Sequence, residues 1–159
     1  MSNKGFTLIE LIVVIILISI LAVTVVPKFL SSKGFEEYSY RDELIVKLRA
    51  IQLRTMQQTD GNVCHNIKVE ASEISLLETV GTACGTGNAG ESTTVTITND
   101  HVVSFSISGG LSNFSFSSLG RPEAVGCGDA TTLCSITLTV SGESDLVIEI
   151  NQEGFIHAI

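Results

Sequence analysis

Polar and apolar positions divide the chain into three successive patterns. From Phe6 to Val26 the run is apolar except for Thr7, Glu10, Ser19 and Thr24, and Glu10 is its only ionisable side chain. As a helix, these 21 residues would span roughly 31 Å, the thickness of a bilayer's hydrocarbon layer. A secretory signal would have a shorter apolar core followed by a small-residue cleavage site. Here the run continues directly into Pro27, Lys28 and Phe29, so retention as an anchor is expected.

The second pattern is amphipathic. Pro27 lacks a helix donor and Gly34 follows the polar Ser31, Ser32 and Lys33, which predicts a kink or loosening between 27 and 34. Beyond it Tyr38, Leu44, Ile45, Leu48, Ile51 and Met56 recur at near-helical spacing. Asp42, Glu43, Lys47 and Arg54 take other faces, and Glu43 to Lys47 forms a favourable i,i+4 pair. Asp60, Gly61 and Asn62 supply the stop.

The third pattern alternates with period two over Thr94 to Thr98, Val102 to Ser108, Asn113 to Ser117, Ser135 to Val140 and Leu146 to Ile150. Val63 to Glu70 and Ile74 to Val80 fit strands or loops equally. Turn signals at Asn99-Asp100, Gly109-Gly110, Gly142-Glu143 and Gln152-Glu153-Gly154 favour hairpins and antiparallel pairing. Gly85 to Glu91 reads as an exposed loop. The predicted fold is α+β: a long N-terminal helix, with a transmembrane half over 6–26 and an amphipathic half over 27–62, packed on an antiparallel β-sheet domain over 63–159.

Charge and cysteines narrow the possibilities. The chain carries -8, or -9 without residues 1–5, whose one charged side chain is Lys4. Such an acidic surface argues against nucleic acid as a partner. The basic residues after the leader are Lys28, Lys33, Arg41, Lys47, Arg49, Arg54, Lys68 and Arg121, most of them on the helix, and they make no stripe on the sheet. Cys64, Cys84, Cys127 and Cys134 all follow the anchor, which suggests two disulfides in an oxidising compartment. Three pairings are open. Cys64 with Cys84 and Cys127 with Cys134 closes the shortest loops and is favoured, each bridge contributing roughly 2 to 3.5 kcal/mol.

Glu10 is the anomaly. A charge at the centre of a bilayer costs about 2.5 to 3.5 kcal/mol, so a retained one needs a partner or a function. Alone, it could reach headgroups or an amide of its own first turn. Its neighbours point further: Gly5-Phe6-Thr7-Leu8-Ile9-Glu10, after a short polar leader with Lys4, closely resembles the N-terminal motif of type IV pilins and type II secretion pseudopilins. The resemblance implies that a prepilin peptidase removes residues 1–5 by cutting between Gly5 and Phe6, and methylates the new amine of Phe6. It matches Glu10 and Pro27 to the family's assembly glutamate and proline. Glu10 would then neutralise the Phe6 ammonium of a neighbouring subunit, so that two unfavourable burials become one pair.

Phe116-Ser117-Ser118-Leu119-Gly120-Arg121-Pro122 and the strand pair ending Val147 to Ile156 resemble the closing pattern of H-type minor pseudopilins and FimT-like minor pilins. Gly120 and Gly154 would be turns with aromatic and β-branched neighbours in the core. The short leader, four cysteines and acidic domain most resemble the C-type minor pilin of mannose-sensitive haemagglutinin (MSHA) pili. The implied function is a non-catalytic minor pilin that helps initiate or tip a type IV fibre for surface attachment. The alternative is an H-type subunit of a type II secretion pseudopilus. The implied partners are other pilin subunits, the prepilin peptidase and methylase, an inner-membrane assembly platform, and the lipid bilayer before assembly. The implied location is the inner membrane of a Gram-negative bacterium, with a periplasmic domain, and then the fibre. Lys4 and the amine on one side balance Lys28 and Lys33 on the other, so charge alone does not orient the anchor.

Other chemistry finds little support in the sequence. Gly85-Thr86-Gly87-Asn88-Ala89-Gly90 fits a dinucleotide fingerprint, but Glu91 to Thr98 alternates like a strand where a helix must open. His65, His101 and His157 are dispersed, and Cys64 beside His65 points to the opposite face of a strand, which argues against zinc. Glu143, Asp145, Glu149 and Glu153 read as a solvated strand edge, and no nucleophile, acid or base converges with them. A membrane-anchored enzyme and a DNA-binding minor pilin are therefore the weaker readings, and no cofactor or metal is implied.

Overall fold

The computed structural model describes residues 6–30, 35–58, 63–98, 101–127 and 132–159, without the side chains of Thr24 and of residues 26–30. The chain divides into two compact units, Met1–Lys33 and Gly34–Ile159. The first contains helix α1, Leu8–Leu30, which continues through Pro27. The expected kink further on, at 31–34, lies outside the described residues. Among the described residues no helix is long and apolar enough to cross a membrane. The unbroken run of described side chains in α1 is Leu8 to Val23, 16 residues or about 24 Å, while the apolar sequence goes on to Val26.

In the second unit α2, Glu36–Gln57, buries Glu37, Tyr40, Leu44, Leu48, Ile51 and Thr55. Those positions follow one another by three or four residues and form a single stripe. Tyr38 and Met56, expected on that stripe, are 44% and 43% exposed. They fall one or two positions off the i, i+3, i+4 series, and Tyr40 takes the place expected for Tyr38. The Glu43 and Lys47 pair forms at 3.8 Å. The predicted stop at 60–62 lies outside the described residues; the helix ends at Gln57.

The strands make two antiparallel sheets rather than one. The larger runs β3 (Ala83–Asn88), β2 (Glu73–Val80), β1 (Asn66–Val69), β6 (Asn113–Phe116), β7 (Pro122–Glu123), with β4 (Thr94–Thr96) also on β2. The smaller runs β10 (Ile156–Ala158), β9 (Asp145–Ile150), β8 (Ile136–Ser141), β5 (Ser104–Ile107). Two of the expected hairpins form, at Gly142-Glu143 and at 152–154, through the β8–β9 and β9–β10 pairings. Asn99-Asp100 lies outside the described residues, and Gly109-Gly110 carries the chain between sheets instead of closing a hairpin: β5 pairs with β8, and β6 returns to β1.

Val63 to Glu70 and Ile74 to Val80, left open by the pattern, contribute β1 and β2 at the centre of the larger sheet. Ile74, Ser75 and Leu76 are buried in succession, which removes the alternation that would have marked a strand. Gly85 to Glu91 is corrected as well. It supplies most of β3, exposed as expected but paired with β2, and the glycines leave room for Glu78, whose carboxylate lies 2.7 Å from where a Gly87 Cβ would stand.

α2 packs against β4 and β6 of one sheet and β8, β9 and β10 of the other. Leu44, Leu48, Ile51, Ile67, Phe114, Leu138, Ile148, Ile150 and Ile156 form the centre of one core, each at most 2% exposed. Each such side chain contributes about 1.5 to 3 kcal/mol by leaving water.

Candidate functional site

The residues singled out by the sequence cluster at the start of α1. Thr7 precedes the helix as its cap: its Oγ1 accepts the Glu10 N–H at 3.3 Å and its carbonyl accepts the Leu11 N–H at 3.2 Å. Glu10 thereby sits in the first turn, exposed, near the positive end of the helix dipole. Phe6 is 82% exposed. Gly5 lies outside the described residues, as does the Pro27 side chain. Every described side chain from Phe6 to Val23, and Val25, is exposed, although nearly all are apolar. A helix that is apolar all round requires lipid or other helices to cover it.

Cys64 is joined to Cys84 and Cys127 to Cys134. The first bridge ties the entry to β1 to the edge strand β3, and the second closes a loop beside β8. Cys64 is therefore not available as a metal ligand beside His65. Among the described residues no three His, Cys, Asp or Glu side chains could hold a metal ion.

Polar contacts that sequence reasoning missed also fix α2 to the sheets, among them those of Glu37, Tyr40 and Gln52. Glu37, 2% exposed, accepts the Ser144 N–H at 3.2 Å and the Ser144 hydroxyl at 3.1 Å. Its own backbone N–H and the two Ser144 groups hold its carboxyl below the usual value, against the opposing effect of burial. The Tyr40 hydroxyl accepts the Thr98 N–H at 3.3 Å and shares a hydrogen bond with His101 Nδ1 at 2.7 Å. The other imidazole nitrogen faces Glu36 at 3.6 Å.

Gln52 makes the third contact. Its Nε2 donates to Gly120 O and to Gly154 O, both at 2.7 Å, and so binds two turns to the helix. Gly120 and Gly154 are turn residues with φ of 80° and 85°, as expected from the closing pattern. Their neighbours correct that expectation in part: Phe116 and Ile156 are buried, but Leu119 and Phe155 are 72% and 60% exposed. The glycines press so closely together that a Cβ on Gly154 would stand 2.0 Å from Gly120 O. No sequence signal marks Gln52 or Glu37, whose partners lie 68 to 107 residues away.

The carboxylates of the C-terminal strands are mostly solvated. Glu143, Asp145 and Glu153 are exposed. Glu149 departs from the expected edge position, since β9 is an inner strand where it faces His157 at 3.7 Å. Two shallow grooves, of about 260 Å³ beside Glu149 and Glu153 and about 370 Å³ beside Asn66, Asn113 and Glu123, are open to solvent.

Residues 1–26 match the family described as the prokaryotic N-terminal methylation motif. The chain is similar in structure to the type IV minor pilin FimU of Pseudomonas aeruginosa PAO1. In one crystal form of that protein the TM-score is 0.55, at 14% identity over 78% of this chain and 88% of that one. In another the TM-score is 0.53, at 14% identity over 77% and 91%. No curated protein matches the sequence. The chain thus carries a prokaryotic N-terminal methylation motif ahead of a domain with the α+β fold of a type IV minor pilin.

Proposed function

We propose that this chain is a non-catalytic minor pilin that joins a type IV fibre of MSHA type and helps initiate or tip it. The observation that carries the reading is a methylation motif over residues 1–26 that contains most of a helix whose described side chains are exposed and, apart from Glu10 and Ser19, apolar. Residues 34–159 bury a core of their own, and on this reading other molecules cover α1. Lipid covers it before assembly and the helices of other subunits cover it afterwards. Cleavage between Gly5 and Phe6 creates an ammonium at the helix start, and Glu10 of an adjacent, staggered subunit neutralises it. Breaking such a buried pair typically costs about 3 to 5 kcal/mol, so the pair sets the register of assembly.

This reading places the chain in a Gram-negative inner membrane with its disulfide-bonded domain in the periplasm, and then in the fibre. Its partners are the prepilin peptidase and methylase, the assembly platform and other pilins. The closing pattern around Gly120 and Gly154 also favours a second reading, an H-type pseudopilin with the same helix chemistry in a secretion machine. The neighbouring genes separate the two. The test of the shared mechanism is Glu10→Val in cells lacking the native copy. Cleavage and membrane insertion stay intact while the amount in sheared fibres falls. Normal incorporation would leave Glu10 with no assembly role.

A further inference from the structure

The edges of the two sheets differ in how they are guarded. An exposed strand edge templates further pairing unless charge, proline or another group covers it. In the larger sheet β7 carries Pro122, which has no donor, between Arg121 and Glu123, and Arg121 is paired to Glu153 at 2.6 Å. In the smaller sheet Arg49 donates to Ile156 O of β10 at 2.9 Å, and the Phe105 N–H of β5 is taken by Ala71 O at 2.9 Å. Beyond β4, the Ile97 N–H is taken by Ser72 O at 2.8 Å.

Among the described residues β3 has none of these protections, although its pairing with β2 shifts register between Leu77 and Thr79, opposite Gly85 to Gly87. Ala83-Cys84-Gly85-Thr86-Gly87-Asn88 contains no charge, no proline and no bulky side chain, and it pairs with β2 alone. It is also held in place. The disulfide fixes Cys84 to Cys64, and Glu78 lies across the glycines, with Oε1 accepting the Gly87 N–H at 3.3 Å. A Cβ on Gly85 would stand 2.8 Å from Glu78 Cγ. The glycines thus serve contacts within the hairpin, and among the described residues no strand pairs with its outer side.

We propose that the outer edge of β3 is an interaction site that takes up an extended, basic-flanked segment of another protein as an additional strand. Backbone hydrogen bonds supply the recognition, and small side chains leave the approach open. Charge selects the partner. Residues 1–33 contribute +2 of the chain's charge (Lys4, Lys28 and Lys33 against Glu10), so residues 34–159 carry -10. Two copies of this domain repel each other, whereas a strand flanked by lysine or arginine is attracted. The inference goes beyond the fibre reading and does not depend on it.

The test uses the full chain, isotope-labelled in detergent micelles, and a synthetic peptide of about ten residues in which Thr and Val alternate between lysine pairs. Amide exchange is followed by NMR. On saturation, exchange slows by about tenfold or more for amides within Ala83–Asn88 and is unchanged at Glu123 and at Ile156–Ala158. Thr86→Pro, which removes a donor, and Thr86→Lys, which keeps the donor and repels the peptide, each weaken binding by about tenfold or more. The second variant decides the matter if the first disturbs the hairpin. Unchanged β3 exchange, equal binding of a glutamate-flanked peptide, or β3 protection that rises with protein concentration without peptide would each overturn the proposal.

Discussion

Replacing Gln52 with leucine tests whether one amide holds the C-terminal turns onto α2. The substitution roughly preserves volume and deletes the two hydrogens that reach Gly120 O and Gly154 O at 2.7 Å. Both glycines are buried, so water cannot readily replace the lost donors. A net hydrogen bond is worth about 0.5 to 1.5 kcal/mol, and an orphaned buried acceptor costs about 1 to 3 kcal/mol. Two coupled acceptors therefore put the expected loss at about 2 to 3 kcal/mol. The Arg121 and Glu153 pair joins the same turns, but with side chains 45% and 64% exposed it contributes about 0 to 1 kcal/mol and cannot compensate. For a unit of this size the midpoint of thermal unfolding drops by roughly 6 to 15 °C. Urea unfolding followed by circular dichroism in the strand region measures the loss, with Arg121→Ala as the companion variant of small effect. A loss below about 0.5 kcal/mol for Gln52→Leu would mean that the amide does not hold the two turns.

Gly154→Ala should cost more than Gln52→Leu, over about 3 kcal/mol, because φ is 85° and the added Cβ meets Gly120 O at 2.0 Å; the same urea assay ranks the two. Glu37 gives a pH dependence: its carboxyl is held below the ordinary value near 4.5, so its stabilising effect is fully present above that pH and is lost as pH falls through the lowered folded value. Urea midpoints measured from pH 6 down to pH 3 should fall more steeply for the native chain than for Glu37→Gln. A non-reducing peptide map should recover Cys64 with Cys84 and Cys127 with Cys134 and no free thiol, and Cys64→Ser with Cys84→Ser should cost about 2 to 4 kcal/mol in urea unfolding.

What the sequence disclosed follows the range of the interactions involved. Thr137, Thr139 and Ser141 alternate with buried Ile136, Leu138 and Val140, so β8 was legible from local pattern, as was the stripe Leu44, Leu48, Ile51. β2 was not, because Ser75 is buried at 2% between Ile74 and Leu76 and the alternation is lost. The division into two sheets was also hidden. Turn residues announce a reversal but do not say whether the next strand pairs with the last, and β5 and β6 lie on different sheets although Gly109 and Gly110 link them. Glu10 stood out as a lone charge in an apolar run. Nothing in the local pattern marks Gln52 or Glu37, since only the tertiary fold brings Gly154 and Ser144 to them.

The mass of the mature N-terminus shows whether a processed, methylated helix is built into a fibre. Fibres sheared from cells carrying the native gene are digested and the N-terminal peptide of this chain is sequenced by mass spectrometry. The expected terminus is Phe6 carrying one added methyl group, recovered from the fibre fraction. A terminus at Met1 or Ser2, or a Phe6 terminus found only in the membrane and never in fibres, would contradict it.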